Sequence, residues 1–228
     1  MELTDALRTT GAIRNFTAQP VDDSLVYEIL DVARFAPSGG NRQGWRVIVV
    51  NDPEQRRAIG EAYLDAWHDY VGHLLAGVVP FSPLASDEDR RHAQSQREAA
   101  IAVSKPDGFA ETIRDVPAML VVGADIAALA ATDRDLDRYH FVGGASIYPF
   151  VWSVLLAAHE RGLGGVMTTV ATRNEPEMQK ILRLPDTVAV AAVVVLGYPE
   201  QQRKKLKRRS VEAFSTVDTF DGAPFTAS

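Results

Sequence analysis

Residues 188–197, Val-Ala-Val-Ala-Ala-Val-Val-Val-Leu-Gly, form ten consecutive positions without a polar side chain. β-Branched residues of this kind favour extended backbone. A strand with one wet face would alternate apolar and polar positions, and this one does not. It is therefore read as buried on both faces, in the middle of a sheet that is covered above and below. A second apolar run, from Pro117 to Gly123, reads as another buried strand.

Helical spacing accounts for much of the rest. Leu25, Ile29, Leu30, Ala33 and Ala36 recur every three or four residues, with Asp22 or Asp23 placed to cap the helix they define. A strand over 46–51 follows. Asp52-Pro53 then supplies an N-cap and a proline at the first helical position, and the helix should run to about Leu75. Asn174-x-x-Glu177 has the form of a capping box for a helix to about Leu184. Residues 141–161 read as an apolar helix burying Ala145, Val151, Trp152, Leu155, Leu156 and Ala158, with Pro149 marking a kink or a late start. Between these lies 76–116, where Gly77, Pro80, Pro83, Pro106 and Gly108 bracket the charged segment 87–98. It is too short for a core of its own, so it is an excursion with its own helix within a single domain spanning 1–228.

The stretch Ala36-Pro37-Ser38-Gly39-Gly40-Asn41-Arg42-Gln43-Gly44-Trp45 does more than a connector needs. Pro37, Gly39 and Gly40 suffice to stop a helix. Ser38, Asn41 and Gln43 add three neutral hydrogen-bonding side chains beside glycines that let a flat ligand approach the backbone, which suits the polar edge of a heterocycle. On the residues alone, a polar turn explains the stretch as well.

Other motifs mostly exclude chemistry. The chain of 228 residues has no cysteine, so disulfides, thiolate metal sites and cysteine nucleophiles are absent. Asp133-x-Asp135-x-Asp137 begins like a calcium loop, but Arg138 and Gly144 stand where glycine and glutamate are required, and no metal site is expected. His68, His73, His92, His140 and His159 show no metal-ligand spacing and read as surface or structural. Gly162-Leu163-Gly164-Gly165 follows a helix and lacks the third glycine of a dinucleotide fingerprint; a glycine helix cap explains Gly162. A net charge of −6 argues against nucleic-acid binding, and no apolar run reaches the roughly eighteen residues of a membrane span. With no basic leader at the start, a cytoplasmic protein is expected. Six cations crowd positions 203–209; without them the net charge would be −12. That cluster fits a solvated tail, a nucleic-acid arm or an anion site.

The run Ala-Pro-Ser-Gly-Gly-Asn-x-Gln-x-Trp resembles the signature of the nitroreductase family, FMN-dependent oxidoreductases. Three further segments resemble that family in the same order: Arg14-x-Phe16, Gly162-Leu163-Gly164, and Gly197-Tyr198-Pro199 followed by Arg208-Arg209-Ser210-Val211-Glu212. The resemblance implies an α+β fold with a central, mostly antiparallel sheet flanked by helices, in a swapped homodimer with an FMN at each interface site. It implies that Arg14, Lys207 and Arg208 hold the flavin phosphate. It also implies that Pro37, Ser38, Gly39, Asn41 and Gln43 contact the flavin across the interface, and that Met167, Thr168 and Thr169 lie against its ring, with Thr169 as the catalytic contact near N5. Thr10, Gly11 and Ala12 depart from the family, which commonly carries arginine or serine there. The region 66–116 corresponds to the family's lid, and 200–228 to its C-terminal arm.

The implied activity is ping-pong: NADH or NADPH reduces FMN, then a small electron-poor aromatic, nitroaromatic or quinone-like, is reduced in turn. Two rivals keep the fold, a flavin-sequestering protein without turnover and a reductive dehalogenase or flavin-modifying enzyme. The deiodinase branch uses a Glu-x-x-x-Tyr pair, and no tyrosine here has a glutamate four residues before it.

Overall fold

A computed structural model describes residues 1–227. Its frame is a four-stranded sheet in the order β1-β2-β4-β3, with every neighbouring pair antiparallel. The strands are β1 (Trp45–Val49), β2 (Ala118–Asp125), β3 (Gly164–Thr168) and β4 (Val188–Gly197). The apolar run 188–197 is thus an interior strand paired on both sides, and nine of its ten residues are buried. β2, the other interior strand, is as dry: seven of its eight residues are buried.

After a short N-terminal helix, α1 (Leu3–Thr9), helices cover the two faces. On one, α2 (Asp23–Ala33) and α7 (Tyr148–Glu160) lay Val26, Ile29, Phe150, Val151 and Val154 over Leu120, Val122, Val194 and Leu196. On the other, α3 (Pro53–Leu75) and α8 (Glu175–Leu182) lay Ile59, Tyr63 and Met178 over Met119, Val121, Val193 and Val195. One irregularity keeps this two-sided pattern in phase. Val122 pairs with Ala192 but Gly123 pairs with Val190, so Ala191 is an extra residue in β4. The bulge turns Val190 toward the α3 face instead of the α7 face, and the hydroxyl of Tyr148 reaches the Ala191 carbonyl at 3.4 Å.

The helix signals hold unevenly. α3 starts at Pro53 and ends at Leu75, with Asp52 Oδ1 accepting the N–H of Gln55 at 2.8 Å. α7 begins late, at Tyr148, which puts Pro149 in its first turn, where a missing N–H costs nothing. Trp152 is 39% exposed and Ala145 is exposed in the turn before the helix, so neither joins the core as expected. Asp22 occupies the N-cap of α2 without a capping hydrogen bond; Asp23, already helical, accepts instead from Asn51 at 2.9 Å. Asn174 does not form a capping box, because its amide donates to Ala62 O at 2.8 Å and to Asp65 Oδ2 at 3.0 Å. α8 stops at Leu182, with Arg183 in the left-handed conformation.

The excursion contains three helices rather than one: α4 (Asp87–Ser95), α5 (Arg97–Ala102) and α6 (Phe109–Thr112). Ser86 and Asp89 form a reciprocal capping box that starts α4. α4 and α5 pack on α3, and no helix among the described residues is long and apolar enough to cross a membrane. Leu120 is fully buried between β2 and the α7 face. Leu120→Ala should therefore cost about 2–5 kcal/mol of unfolding free energy, measured by urea denaturation.

Candidate functional site

The residues singled out by sequence fall into two groups on opposite edges of the sheet. The first gathers around β3. Residues 12–17 run alongside it: Ile13 N–H donates to Gly165 O at 2.9 Å, Thr17 N–H to Tyr198 O at 2.8 Å, and Glu200 N–H to Asn15 O at 3.2 Å. Three distant segments are thereby laced into one strip, 12–17, 164–165 and 198–200.

Glycine is required along this strip because the packing leaves no room. A Cβ at Gly164 would lie 2.8–3.1 Å from Ile13, and one at Gly197 would lie 2.7–2.8 Å from the Phe16 and Pro117 rings. At Gly11 the space is filled by the tail, with Leu206 Cδ2 at 2.8 Å and Arg203 Cγ at 3.2 Å. The tail cations thus begin against the Arg14 segment. No hydrogen bond or ion pair among the described residues joins Lys207 or Arg208 to Arg14; Arg208 donates to the Lys207 carbonyl at 2.8 Å. Arg14 itself lies 5.7 Å from the centre of the Phe109 ring.

At the far end of β3, Met167 and Thr169 are exposed and Thr168 is half-buried. Thr168 Oγ1 bonds the Tyr63 hydroxyl at 3.0 Å. Burial pushes the Tyr63 phenol up, and the Thr168 hydrogen bond partly offsets that shift. Thr169 uses its carbonyl to accept from Thr172 at 2.7 Å, while its own hydroxyl has no partner among the described residues.

The second group precedes β1. Ser38 Oγ accepts the N–H of Gln43 at 3.0 Å, and the Gln43 amide donates to Asn41 Oδ1 at 3.2 Å. Gly40, Asn41 and Gln43 have φ of 60°, 53° and 51°. Three left-handed residues in four are costly for the two with side chains, and they hold those side chains outward and exposed. Pro37 is exposed before them, and Gly39 N–H is caught by Ser146 Oγ at 3.0 Å. Across the sheet, β1 and β3 are separated by three strand spacings, about 14 Å. Within one subunit, no hydrogen bond among the described residues joins 37–43 to 167–169.

Sequence reasoning missed several supports. Ser146 and Tyr63 were not singled out, and their partners Gly39 and Thr168 lie in distant segments; Asp133 stood out only as the start of a rejected calcium loop. His159, read as surface or structural, is buried and ties three elements: Thr9 Oγ1 lies 2.8 Å from Nε2 and the Gln202 amide 2.5 Å from Nδ1. Since that amide donates, the proton of the neutral ring sits on Nε2 and is given to Thr9; burial lowers the ring's proton affinity.

Asp133 clamps the loop on which 38–44 rests. Its Oδ2 accepts from Phe141 N–H at 2.9 Å, Val142 N–H at 3.2 Å and Arg138 Nη1 at 2.9 Å. The Phe141 hydrogen bond above all, with those of Val142 and Arg138, outweighs burial and lowers this carboxyl to about 2. The folded state prefers the ionised form, so the gain is complete above the ordinary value of 3.8 and is lost as pH falls toward about 2. Thermal unfolding from pH 5 to pH 2 should show wild type losing its advantage over Asp133→Asn across that window, with the two curves converging at the acid end.

Comparison with known proteins agrees with this geometry. The sequence model described as "Nitroreductase family" matches residues 7–198. The nitrobenzene nitroreductase of Ectopseudomonas oleovorans is 28% identical over 222 residues, covering 93% of this chain and 95% of the relative. The FMN reductase [NAD(P)H] of Bacillus subtilis strain 168 is 26% identical over 220 residues, 96% of this chain and 74% of that protein. Among solved structures, oxidized iodotyrosine deiodinase bound to FMN and 3-iodo-L-tyrosine superposes with a TM-score of 0.66 at 20% identity, covering 96% of this chain and 100% of that one. With the family pattern spanning residues 7–198 and the strip, the strained turn and the sheet order all in place, this chain belongs to the nitroreductase family.

Proposed function

We propose that the chain is an FMN-dependent NAD(P)H oxidoreductase that works as a homodimer on a small, electron-poor aromatic or quinone-like acceptor. The observation that carries this reading is the pair of sheet edges. One edge presents cations and the exposed end of β3; the other presents an outward-facing Ser38-Asn41-Gln43 turn, and a second copy is needed to bring them together. Exposed aromatic groups support the pairing: Tyr27 is 72% exposed, Phe35 77%, and Phe220 on the arm has no cover at all.

The donor set fits FMN. Arg14 and all six cations of 203–209 lack a carboxylate partner within 4.0 Å among the described residues, which leaves them available to a phosphate dianion. Arg14, Lys207 and Arg208 would hold that phosphate. Pro37, Ser38, Gly39, Asn41 and Gln43 of the second copy would supply donors and acceptors to the flavin's polar edge. Met167, Thr168 and Thr169 would lie beside the ring; Thr168 is already committed to Tyr63, so the unpartnered Thr169 hydroxyl is the group left to contact it. When bound, FMN supplies a two-electron carrier between the nicotinamide and the acceptor, in two successive half-reactions. The chain's residues bind it, orient it and leave one face open beneath the lid formed by 66–116. The names of the relatives, a nitrobenzene nitroreductase and an FMN reductase using NAD(P)H, support this reactant class.

The purified protein should be yellow and dimeric and should oxidise NADH or NADPH when a nitroaromatic or quinone is added. A protein that stays colourless after incubation with FMN would overturn the reading, and tightly held FMN without turnover would indicate flavin sequestration. Removing one charge-assisted phosphate contact should cost about 1.5–3 kcal/mol. Arg14→Ala and Arg208→Ala should each weaken FMN roughly ten- to a hundredfold while leaving riboflavin affinity unchanged, measured by fluorescence quenching.

A further inference from the structure

The arm that carries the tail cations is fastened to the body at one point. Residues 201–209 form no helix or strand. Just before them, Glu200 N–H donates to Asn15 O at 3.2 Å. Beyond that, a single hydrogen bond among the described residues joins 201–209 to the rest of the chain, the one from the Gln202 amide to His159 Nδ1. Leu206 and Arg203 then pack over Gly11, and Arg208 bonds the Lys207 carbonyl of its own segment.

This fastener is a base under cover. His159 lies on the last turn of α7 and is 6% exposed. The Thr9 hydroxyl gives its proton to the Asp5 carbonyl at 2.6 Å, so its oxygen accepts from Nε2–H, and Nδ1 keeps the lone pair that the Gln202 amide needs. The series of bonds runs one way and fits only the neutral ring. The charged residues carried here are Asp5 and Arg8 on α1, Glu160 and Arg161 on α7, and Glu200 and Arg203 on the arm. Arg161 pairs with Glu160 and with Glu28 of α2, and no carboxylate pairs with the ring among the described residues. A proton on Nδ1 would end the Gln202 bond as it stands. Turning the amide over would let its oxygen accept instead, yet a full charge would stay buried without a carboxylate, at the root of an arm bearing six cations. Burial accordingly lowers the ring's proton affinity, and a Leu163 backbone contact partly offsets the shift.

We propose that His159 is the positioning residue of the arm: neutral, it fastens Gln202 and with it the 203–209 cations; protonated, it lets them go. The fastening does not depend on the flavin assignment. Its use does, because a grip on the flavin phosphate that loosens in acid rests on the function proposed above. The direction follows from linkage. The docked ring binds its proton more weakly than a free histidine, so docking is complete above the ordinary value of 6.5 and weakens as pH falls below it.

Trypsin tests this on the full chain, with whatever cofactor it retains, because 203–209 offers six cleavage sites. Cleavage there, located by mass spectrometry, is divided by that of a free peptide of residues 199–211. The ratio cancels the protease's own pH dependence and reports the open fraction of the arm. From pH 7.5 to pH 5.5 it should rise at least roughly threefold in wild type. In Gln202→Glu a carboxylate faces the ring and favours its charged form, so the ratio should not rise until that carboxylate protonates, near about pH 4.3. His159→Asn, which keeps an acceptor at the place of Nδ1 and takes up no proton, should also stay flat. Over the same interval FMN binding should weaken more in wild type than in Gln202→Glu, while riboflavin, which has no phosphate, should not distinguish them. A constant ratio in wild type, or an equal rise in Gln202→Glu, would overturn the proposal whatever the flavin does. Equal weakening of FMN in the two proteins would overturn the arm's part in holding phosphate. A colourless protein whose arm opens in acid would sink the flavin reading and leave the fastener standing.

Discussion

The structure depends on two neighbouring strands that have no solvent face. β2 and β4 lie side by side in the interior of the sheet, and almost every side chain on them is buried. A pair like this cannot exist without a layer on each side, because every exposed valine or leucine would forfeit on the order of 1.5–3 kcal/mol. α2 and α7 supply one layer, α3 and α8 the other. With both faces closed, only the edges remain for function. The strained turn enters β1 and the exposed Thr169 follows β3, so the candidate residues sit at the rims because the centre is taken.

How much of this was legible in the sequence follows from how local each determinant is. The start of α3 could be read to the residue, because Asp52 and Pro53 act within one turn of the positions they define. The β4 strand could be read because ten consecutive apolar residues rich in valine suit a strand that is dry on both faces and little else. Asn174 misled because cap preference describes a side chain with nothing better to bond. Asn174 has Ala62 and Asp65, more than a hundred positions away, and local rules cannot see them. Trp152 and Ala145 were assigned to the core because the stretch is apolar on all sides, and apolarity does not say which side faces out.

The site was legible as segments, not as contacts. Ser38, Asn41 and Gln43 were visible as an excess of polar groups in a short connector, but the mutual bonding of Ser38 with Gln43 and the left-handed backbone were not. Tyr63 and Ser146 act through residues brought near only by the fold, and Asp133 through a turn closed five to nine residues on that its acidic spacing did not reveal. The tail cations stood out as a charge cluster, whereas the fit of Leu206 and Arg203 into the space above Gly11 required coordinates.

The strip along β3 has a consequence for how the chain avoids sticking to itself. An edge strand presents unpaired N–H and C=O groups that can template pairing with another molecule. Here residues 12–13 lie parallel to β3 and take the carbonyl of Gly165, so the N-terminal segment acts as a selvedge sewn along the open border of the sheet. The seam is only a residue or two long, and its hold comes from Ile13 and Phe16 pressed into the spaces left by Gly164 and Gly197. Bulk at either glycine would unpick the hem and leave a bare strand border, so those two positions guard solubility as much as they shape the site.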